Sequence, residues 1–282
     1  MAGATKKDLA VQEDKTTALV VADYAAYAED AGAGYENQTS EDISVPFLEI
    51  LQSNSPETQV EDGPRPGTII NRTTGEIWKG SEGIAFIPAT TSHVVVEWVP
   101  REKGGGIVAT HELDSPLIQQ VRSSQPLGKY VHPESRNDLI ETFYVYGIMV
   151  DGDQFYPAVM AFSSTRIKPY KDWMFRARSI VIALPDGRKI TKLPLFSHRY
   201  RLTTVAAENN KGKWHTLQVR FDGENAEAAR IAPNNELYLI AKQLCSDVNE
   251  GRKMADTASV GSREDVDAGP ARGDTSSGDA PY

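Results

Sequence analysis

Alternating apolar and polar residues between 43 and 221 predict a chain built mainly from β-strands. The first dense apolar run, ISVPFLEILQ, begins at Ile43. Apolar runs then come in pairs around short polar turns: TIIN and GEIW flank 72–74, and YVYGIMV and QFYPAVMAF flank 151–153. GIAFIPA and SHVVVEWV supply two further strands. Because short turns between apolar runs are typical of hairpins, we expect a β-rich α+β domain with antiparallel strands.

The last predicted hairpin separates an apolar face from a basic face. RYRLTTVA and KWHTLQVRF flank a turn at 208–212, after a shorter hairpin around 186–187. Successive side chains of a strand point to opposite faces. The face that we expect in the core carries Tyr200, Leu202, Leu217, Val219 and Phe221. The other face, a candidate binding surface, carries Arg199, Arg201, Trp214, Thr216, Gln218 and Arg220.

Two helices are predicted in the second half of the chain. The first is short and amphipathic and starts near Pro169, which suits the first turn of a helix. Its apolar stripe contains Tyr170, Trp173, Met174 and Ala177. Trp173 and Met174 either anchor this helix in the core or take part in binding, and we favour the core. The C-terminal helix, NELYLIAKQLCSDVNEGRKM, has apolar residues at helical spacing and Asn235 as its predicted N-cap.

The remaining segments carry few apolar residues. Residues 1–42 are acidic, and we expect a partly disordered arm before a single domain over 43–254. Residues 255–282 are small, polar and acidic, and such a composition cannot bury enough surface to fold alone, so we expect a disordered tail. Within the domain, 104–138 lacks a clear period and contains three consecutive glycines, which predicts a long loop region.

Charge is distributed very unevenly along the 282 residues. The formal total is -9, but residues 163–220 carry thirteen Lys or Arg against three Asp or Glu, a local charge of +10. The same block contains six aromatic residues. Single-stranded nucleic acid needs cations for its phosphates and aromatic faces for its unpaired bases. The block therefore favours nucleic-acid binding over the alternative, a solvated face whose cations balance acidic neighbours.

The candidate nucleic-acid-binding residues come from the first predicted helix and the last hairpin. The predicted phosphate contacts are Lys168, Lys171, Arg176, Arg178, Arg199, Arg201, Lys211, Lys213 and Arg220. The predicted stacking residues are Trp214 with one or more of Tyr170, Trp173 and Tyr200. The sequence does not distinguish DNA from RNA as the ligand.

The sequence lacks the usual signatures of catalysis, metals and cofactors. Its five histidines show no metal-ligand spacing, and Cys245 is its only cysteine. It has no GxxxxGK[ST], GxGxxG or GxSxG motif, so we expect neither an enzyme nor a cofactor. Asp186 near Lys189 could belong to a nuclease, but a Pro-Asp-Gly turn is the better interpretation. The lone cysteine and the lack of a signal peptide or a membrane-length apolar run favour a cytoplasmic protein.

From about residue 43, a β-rich body with a basic aromatic surface is followed by an acidic tail that ends in Tyr282. This layout is similar to that of the single-stranded DNA-binding proteins of tailed bacteriophages. VPFLEILQSNSPE, PGT at 66–68 and FSSTRIKPYKDW also resemble runs in phage proteins of similar length. The resemblance implies an OB-like barrel with long insertions, and a tail that competes with DNA and recruits replication proteins. The tail departs from the pattern because Arg263 and Arg272 make it only moderately acidic.

Three functions follow as hypotheses. The first is a sequence-tolerant single-stranded DNA-binding protein that acts without catalysis in phage DNA replication or recombination. The second is a virion structural or adaptor protein whose basic block docks an acidic partner, and the third is a metal-dependent nuclease. For the first hypothesis, the expected partners are single-stranded DNA, replication proteins through the tail and further copies of the chain, but no membrane.

Overall fold

The structure, a computed structural model, describes residues 30–38, 44–126, 130–210 and 212–257. Contacts divide the chain into one unit that ends at Ile43 and a second that begins at Ser44. Most of the predicted arm (1–42) and of the predicted tail (255–282) lies outside the described residues, as does Lys211. The elements below all belong to the second unit.

Twelve strands and three helices are described in this unit. In chain order, the strands are β1 (Leu48–Ile50), β2 (Ile69–Asn71), β3 (Ile77–Trp78), β4 (Ile84–Trp98), β5 (Ile107–Glu112), β6 (Tyr130–Val131), β7 (Asp138–Asp151), β8 (Gln154–Ser163), β9 (Ile182–Ala183), β10 (Lys189–Ile190), β11 (Tyr200–Asn209) and β12 (Gly212–Phe221). The helices are α1 (Pro116–Ser124), α2 (Ile167–Arg178) and α3 (Glu236–Asn249).

The strands form three antiparallel sheets. β1, β2 and β3 make a small sheet, and β9 pairs with β10 in a separate hairpin. The other seven strands form a large sheet with the path β12–β11–β4–β7–β6, in which β5 also pairs with β4 and β8 with β7. Among the described residues this path does not close on itself. The predicted β-rich, antiparallel α+β class is therefore confirmed, whereas an OB-like barrel is not.

β4 and β7 form the centre of the large sheet and are paired along almost their full lengths. A register shift between Pro88 and Thr90 inserts one extra residue into β4. This is a β-bulge, a position where proline is tolerated because a ladder hydrogen bond is missing. Because of the bulge, Ala89 and Val94 point into the same core although their numbers differ in parity.

Helices cover both faces of the large sheet. α3 packs on one face, where Ala241 and Leu244 belong to the same core as Ala89. α2 and the small sheet pack on the opposite face around a second core. α1 packs on the same face of the sheet as α2, where it covers Val95 and Leu139. The sheet is thus the middle layer of three, and α2 lies beside its β11–β12 end.

Trp173 anchors α2 to the sheet. Its side chain is fully buried, and its ring centroid lies 6.3, 6.1 and 5.3 Å from those of Phe86, Phe162 and Tyr200. Aromatic pairs at such distances add stabilisation to that from burial alone. The predicted helix is present, beginning at Ile167, and the core-facing interpretation of Trp173 is confirmed.

The predicted hairpins and the C-terminal helix are present. The hairpins are β2–β3, β7–β8, β9–β10 and β11–β12. α3 follows Asn235, whose side-chain oxygen accepts a hydrogen bond from the backbone N–H of Leu237 at 2.9 Å, as expected of an N-cap. GIAFIPA and SHVVVEWV, predicted as two strands, form the single strand β4, because the polar segment between them stays paired with β7.

The prediction of a long loop region over 104–138 is wrong, because this interval contains β5, α1 and β6. The helix is capped by Ser115, whose hydroxyl oxygen accepts a hydrogen bond from the N–H of Ile118 at 3.4 Å. β5 is tied to β4 by the buried Glu97, whose carboxylate lies 2.9 Å from Nε2 of His111. Burial alone would raise the pKa of the Glu97 carboxyl. Its hydrogen bonds, of which the one with His111 has the largest effect, outweigh burial and hold this pKa below its ordinary value. α1 also has a short apolar stripe, Leu117, Ile118 and Val121, which packs on the sheet and which the prediction of a loop overlooked.

We expect Trp173→Ala to lower the free energy of unfolding by about 3–5 kcal/mol, because it leaves a cavity in place of a fully buried indole. Phe175→Ala is the matched control on the same helix. Phe175 is 74% exposed, and such surface substitutions change stability by about 0.5 kcal/mol or less. Urea unfolding followed by circular dichroism measures both variants, and equal losses would contradict this placement of α2.

Candidate nucleic-acid interface

The solvent-facing side of α2 carries Lys171, Phe175 and Arg178, which are all exposed. Spacings of four and three residues place them next to one another on one side of the helix. This set is named the α2 stripe below. Within the described residues, neither Lys171 nor Arg178 forms an ion pair. The stripe therefore presents an exposed aromatic ring between two available cations.

Phe175 was not among the predicted site residues, although it is 74% exposed. The signal for it was the helical spacing in RIKPYKDWMFRAR: once Trp173 faces the core, a residue two positions later must point well away from the core. The sequence pattern left two interpretations of Trp173 open, so the orientation of Phe175 could not be fixed. The structure removes that ambiguity.

Two predicted stacking residues, Tyr170 and Tyr200, are buried in the core. Tyr170 stacks on Phe143 at a centroid distance of 4.4 Å, and Tyr200 stacks on Phe221 at 5.3 Å. Burial raises the pKa of Tyr200 to about 12. A base cannot stack on rings that are already covered, so the predicted role is corrected: these tyrosines pack α2 onto β7 and β11 of the sheet, as Trp173 does.

The β11–β12 hairpin has the two faces that alternation predicts. Leu217 and Val219 are buried on one side. Arg201 and Arg220 are cross-strand partners on the other side, which also carries Trp214. Trp214 is half-buried, and its indole nitrogen is buried with no hydrogen-bond partner among the described residues. This face is accessible at Arg220 and only partly accessible at Trp214.

Three arginines from three elements line one pocket of about 400 Å³, named the arginine pocket below. They are Arg176 of α2, Arg201 of β11 and Arg220 of β12. Nη2 of Arg176 donates a hydrogen bond to the backbone carbonyl oxygen of Val219 at 2.8 Å, which places this guanidinium at the free edge of the sheet. Guanidinium groups bind phosphate oxygens through charge-assisted hydrogen bonds, so the arrangement suits a phosphate.

Asp222 partly neutralises the arginine pocket. One of its carboxylate oxygens lies 2.5 Å from Nε of Arg199, and the other lies 2.8 Å from Nη2 of Arg201. A single carboxylate thus pairs with two of the predicted phosphate contacts. Arg220 forms no ion pair in the part of the chain that the structure describes. It is therefore the most available cation of this pocket.

Two further predicted contacts, Lys168 and Lys213, belong to neither the α2 stripe nor the arginine pocket. Lys168 pairs with Asp172 at 2.9 Å, and Lys213 pairs with Glu208 at 3.4 Å. All four side chains are exposed, and ion pairs of this kind contribute only about 0–1 kcal/mol. Either lysine can exchange its carboxylate for a phosphate at little cost.

Comparison with known protein families assigns the chain to a family. Residues 13–254 match the family described as Pam3 phage gp34-like protein. The chain belongs to this family. The match includes α2, β11 and β12, and it confirms the expected relation to phage proteins. Comparisons with curated proteins and with solved structures gave no match.

Within residues 30–38, 44–126, 130–210 and 212–257, no group of three or more His, Cys, Asp or Glu side chains could hold a metal ion. In these same ranges no helix has the length and apolar character to cross a bilayer.

We expect Asp222→Asn to bind a polyanion more tightly than the wild type, because it removes the carboxylate shared by Arg199 and Arg201. Elution from a heparin column should shift to higher salt. Glu112→Gln makes the same charge change on β5, outside the arginine pocket, and should shift elution less. Identical elution of the two variants would show that Asp222 has no special relation to the binding surface.

Proposed function

We propose that the chain is a sequence-tolerant single-stranded DNA-binding protein that acts, without catalysis, in phage DNA replication or recombination. The observation that carries this proposal is the α2 stripe. An exposed phenyl ring lies between two cations on one helix face, and Trp173 fixes that face towards solvent. Unpaired bases stack on aromatic rings while phosphates contact Lys and Arg, so the stripe offers both interactions together.

The arginine pocket supports the proposal as a second contact point. Arg176 belongs to the pocket and directly follows Phe175 in α2. Phosphates that approach Arg220 and Arg176 would therefore lie close to a base that stacks on Phe175. Stacking on a phenyl ring and contacts between cations and phosphates are available to every base, which favours tolerance of sequence.

The proposed binding surface consists of α2 and one end of an open sheet, so it does not require the closed barrel of an OB-fold. A barrel remains part of the resemblance to phage single-stranded DNA-binding proteins. We also keep as a proposal that residues 255–282 compete with DNA for the same cations and contact replication proteins, because they are acidic.

A phage structural or adaptor protein is the second candidate, since the same cations can bind an acidic protein surface. Phe175 favours DNA over this alternative. Cations alone satisfy an acidic partner, whereas a solvent-exposed phenyl ring between them has an additional use only where a flat partner can stack on it.

We expect Phe175→Ala to weaken binding of fluorescently labelled oligo-dT by about 5- to 150-fold, because the stacking of one base contributes about 1–3 kcal/mol. Arg220→Ala should lower the affinity and reduce the slope of log K against log salt by about 0.7, the contribution of one phosphate contact to a single strand. Arg220 is preferable to Arg199 and Arg201 for this test, because substituting those two also leaves Asp222 without its partners. Fluorescence anisotropy at several salt concentrations measures both quantities.

Arg122→Ala is the matched control, because Arg122 lies on α1 and pairs with Glu141 rather than with any residue of the proposed surface. It should bind like the wild type. No oligo-dT binding by the wild type, or binding insensitive to salt and to both substitutions, would overturn the proposal. Binding to polyglutamate in place of oligo-dT would favour the adaptor, and cleavage of labelled DNA with Mg²⁺ or Mn²⁺ would indicate a nuclease.

A further inference from the structure

A second pocket, of about 490 Å³, lies beside the last turns of α2 and is named the Thr91 pocket below. Met174, Leu195 and Tyr200 supply apolar lining, and the exposed Arg178 and Lys192 supply two cations. Protein cores contain few voids larger than a water molecule. A pocket of this volume, lined mainly by apolar groups with a few polar ones, has the size and character of a small-ligand site.

The polar lining of the Thr91 pocket contains a buried histidine with an unused nitrogen. Ser197 and His198 line the pocket and are both buried. Nδ1 of His198 lies 2.8 Å from Oγ of Ser197, whereas Nε2 is buried and has no hydrogen-bond partner among the described residues. Burial, followed by the charge of Arg230, lowers the pKa of His198, which keeps the ring neutral at pH 7. A buried nitrogen without a partner is rare in folded proteins, which marks this end of the lining as unusual.

Lys192 adds a third observation. Its φ is 54°, in the left-handed region that residues other than Gly, Asn and Asp rarely adopt. Strained backbone of this kind concentrates at functional sites. Here it lies in the segment between β10 and β11 that also contributes Leu195, Ser197 and His198 to the pocket.

The lining of the Thr91 pocket corresponds to the parts of a nucleotide. Apolar groups can cover the faces of a base, and the two cations can hold its phosphate. Arg178 is both the last residue of the α2 stripe and part of the pocket lining. A DNA single strand bound along the α2 stripe can therefore reach the Thr91 pocket without crossing another helix or β-strand.

We propose that the Thr91 pocket binds one unstacked base of a single strand whose phosphates contact Arg178 and Lys192. This inference rests on the proposed function and adds to it a defined site for one nucleotide. It explains why the two cations at this end of the stripe are exposed beside an apolar cavity rather than beside carboxylates.

The test uses the full chain with the pocket blocked from an exposed position. Thr91 is exposed on β4, and an aromatic residue suits a strand, so Thr91→Phe should fill the pocket without disturbing the core. We expect it to weaken oligo-dT binding by about 5- to 100-fold, whereas the isosteric Thr91→Val should bind within about twofold of the wild type. Urea unfolding of both variants checks that the fold is retained.

A second variant tests the phosphate contact independently of pocket volume. Lys192→Asn removes the charge while keeping a residue that tolerates positive φ. It should lower the affinity for oligo-dT and reduce the salt slope by about 0.7. If Thr91→Phe proves unstable, this variant decides the question, and an unchanged salt slope would count against the proposal.

Photocross-linking locates the base directly. An oligonucleotide containing 5-iodo-deoxyuridine should cross-link to Met174 or to residues 193–200 in the wild type and in Thr91→Val, and should lose this cross-link in Thr91→Phe. If oligo-dT binds in an Arg220-dependent way but Thr91→Phe and Lys192→Asn behave like the wild type, the pocket is not used and the proposed function stands. If the wild type binds no oligo-dT, both proposals fail.

Discussion

The burial of Trp173 is the contact on which the proposed surface depends. Its indole packs among Phe86, Phe162 and Tyr200, so α2 can approach the sheet in only one rotation about its own axis. In that rotation Phe175 faces solvent, Arg176 points towards the edge strand β12, and Arg178 lies beside the Thr91 pocket. A helix with the same composition but a smaller anchor could rotate, and its cations would no longer have fixed neighbours. The aromatic core thus fixes which cations act together.

The excess of positive charge in the block from 163 to 220 is not equally available across the surface. Asp222 binds two arginines at once, and its exposure is low, so this interaction orders the guanidinium groups as well as lowering the local potential. Arg220 and the two cations of the α2 stripe have no such partner among the described residues. The structure therefore divides the basic block into arginines that a carboxylate holds in place and cations that have no carboxylate partner among the described residues. Net charge alone could not make this distinction.

Local features of the fold were predictable and long-range features were not. Turn chemistry and alternation located the hairpins and the two faces of β11–β12, and the N-cap Asn235 located α3. The elements of 104–138 were missed because they are short, so the apolar stripe of α1 contains only Leu117, Ile118 and Val121, and because a buried carboxylate ties β5 to β4. Alternation placed Tyr200 on the core face of β11, and helical spacing placed Tyr170 on the apolar stripe of α2. Naming both as stacking residues was nevertheless wrong, since aromatic residues near cations have the same pattern whether a base or another ring covers them. Phe175 could be assigned to the surface only after Trp173 was placed.

The bulge between Pro88 and Thr90 also determines what the other face of the sheet presents. In an uninterrupted strand, Thr91 would share a face with Ile87 and Ala89 and point towards α3. The extra residue reverses that assignment, so Thr91 joins Met174 and Tyr200 on the side of α2. A one-residue change in the length of β4 at this point would exchange the apolar core beneath α3 with the pocket lining beneath α2. The chain can therefore vary in the identity of residues along this strand far more readily than in their number.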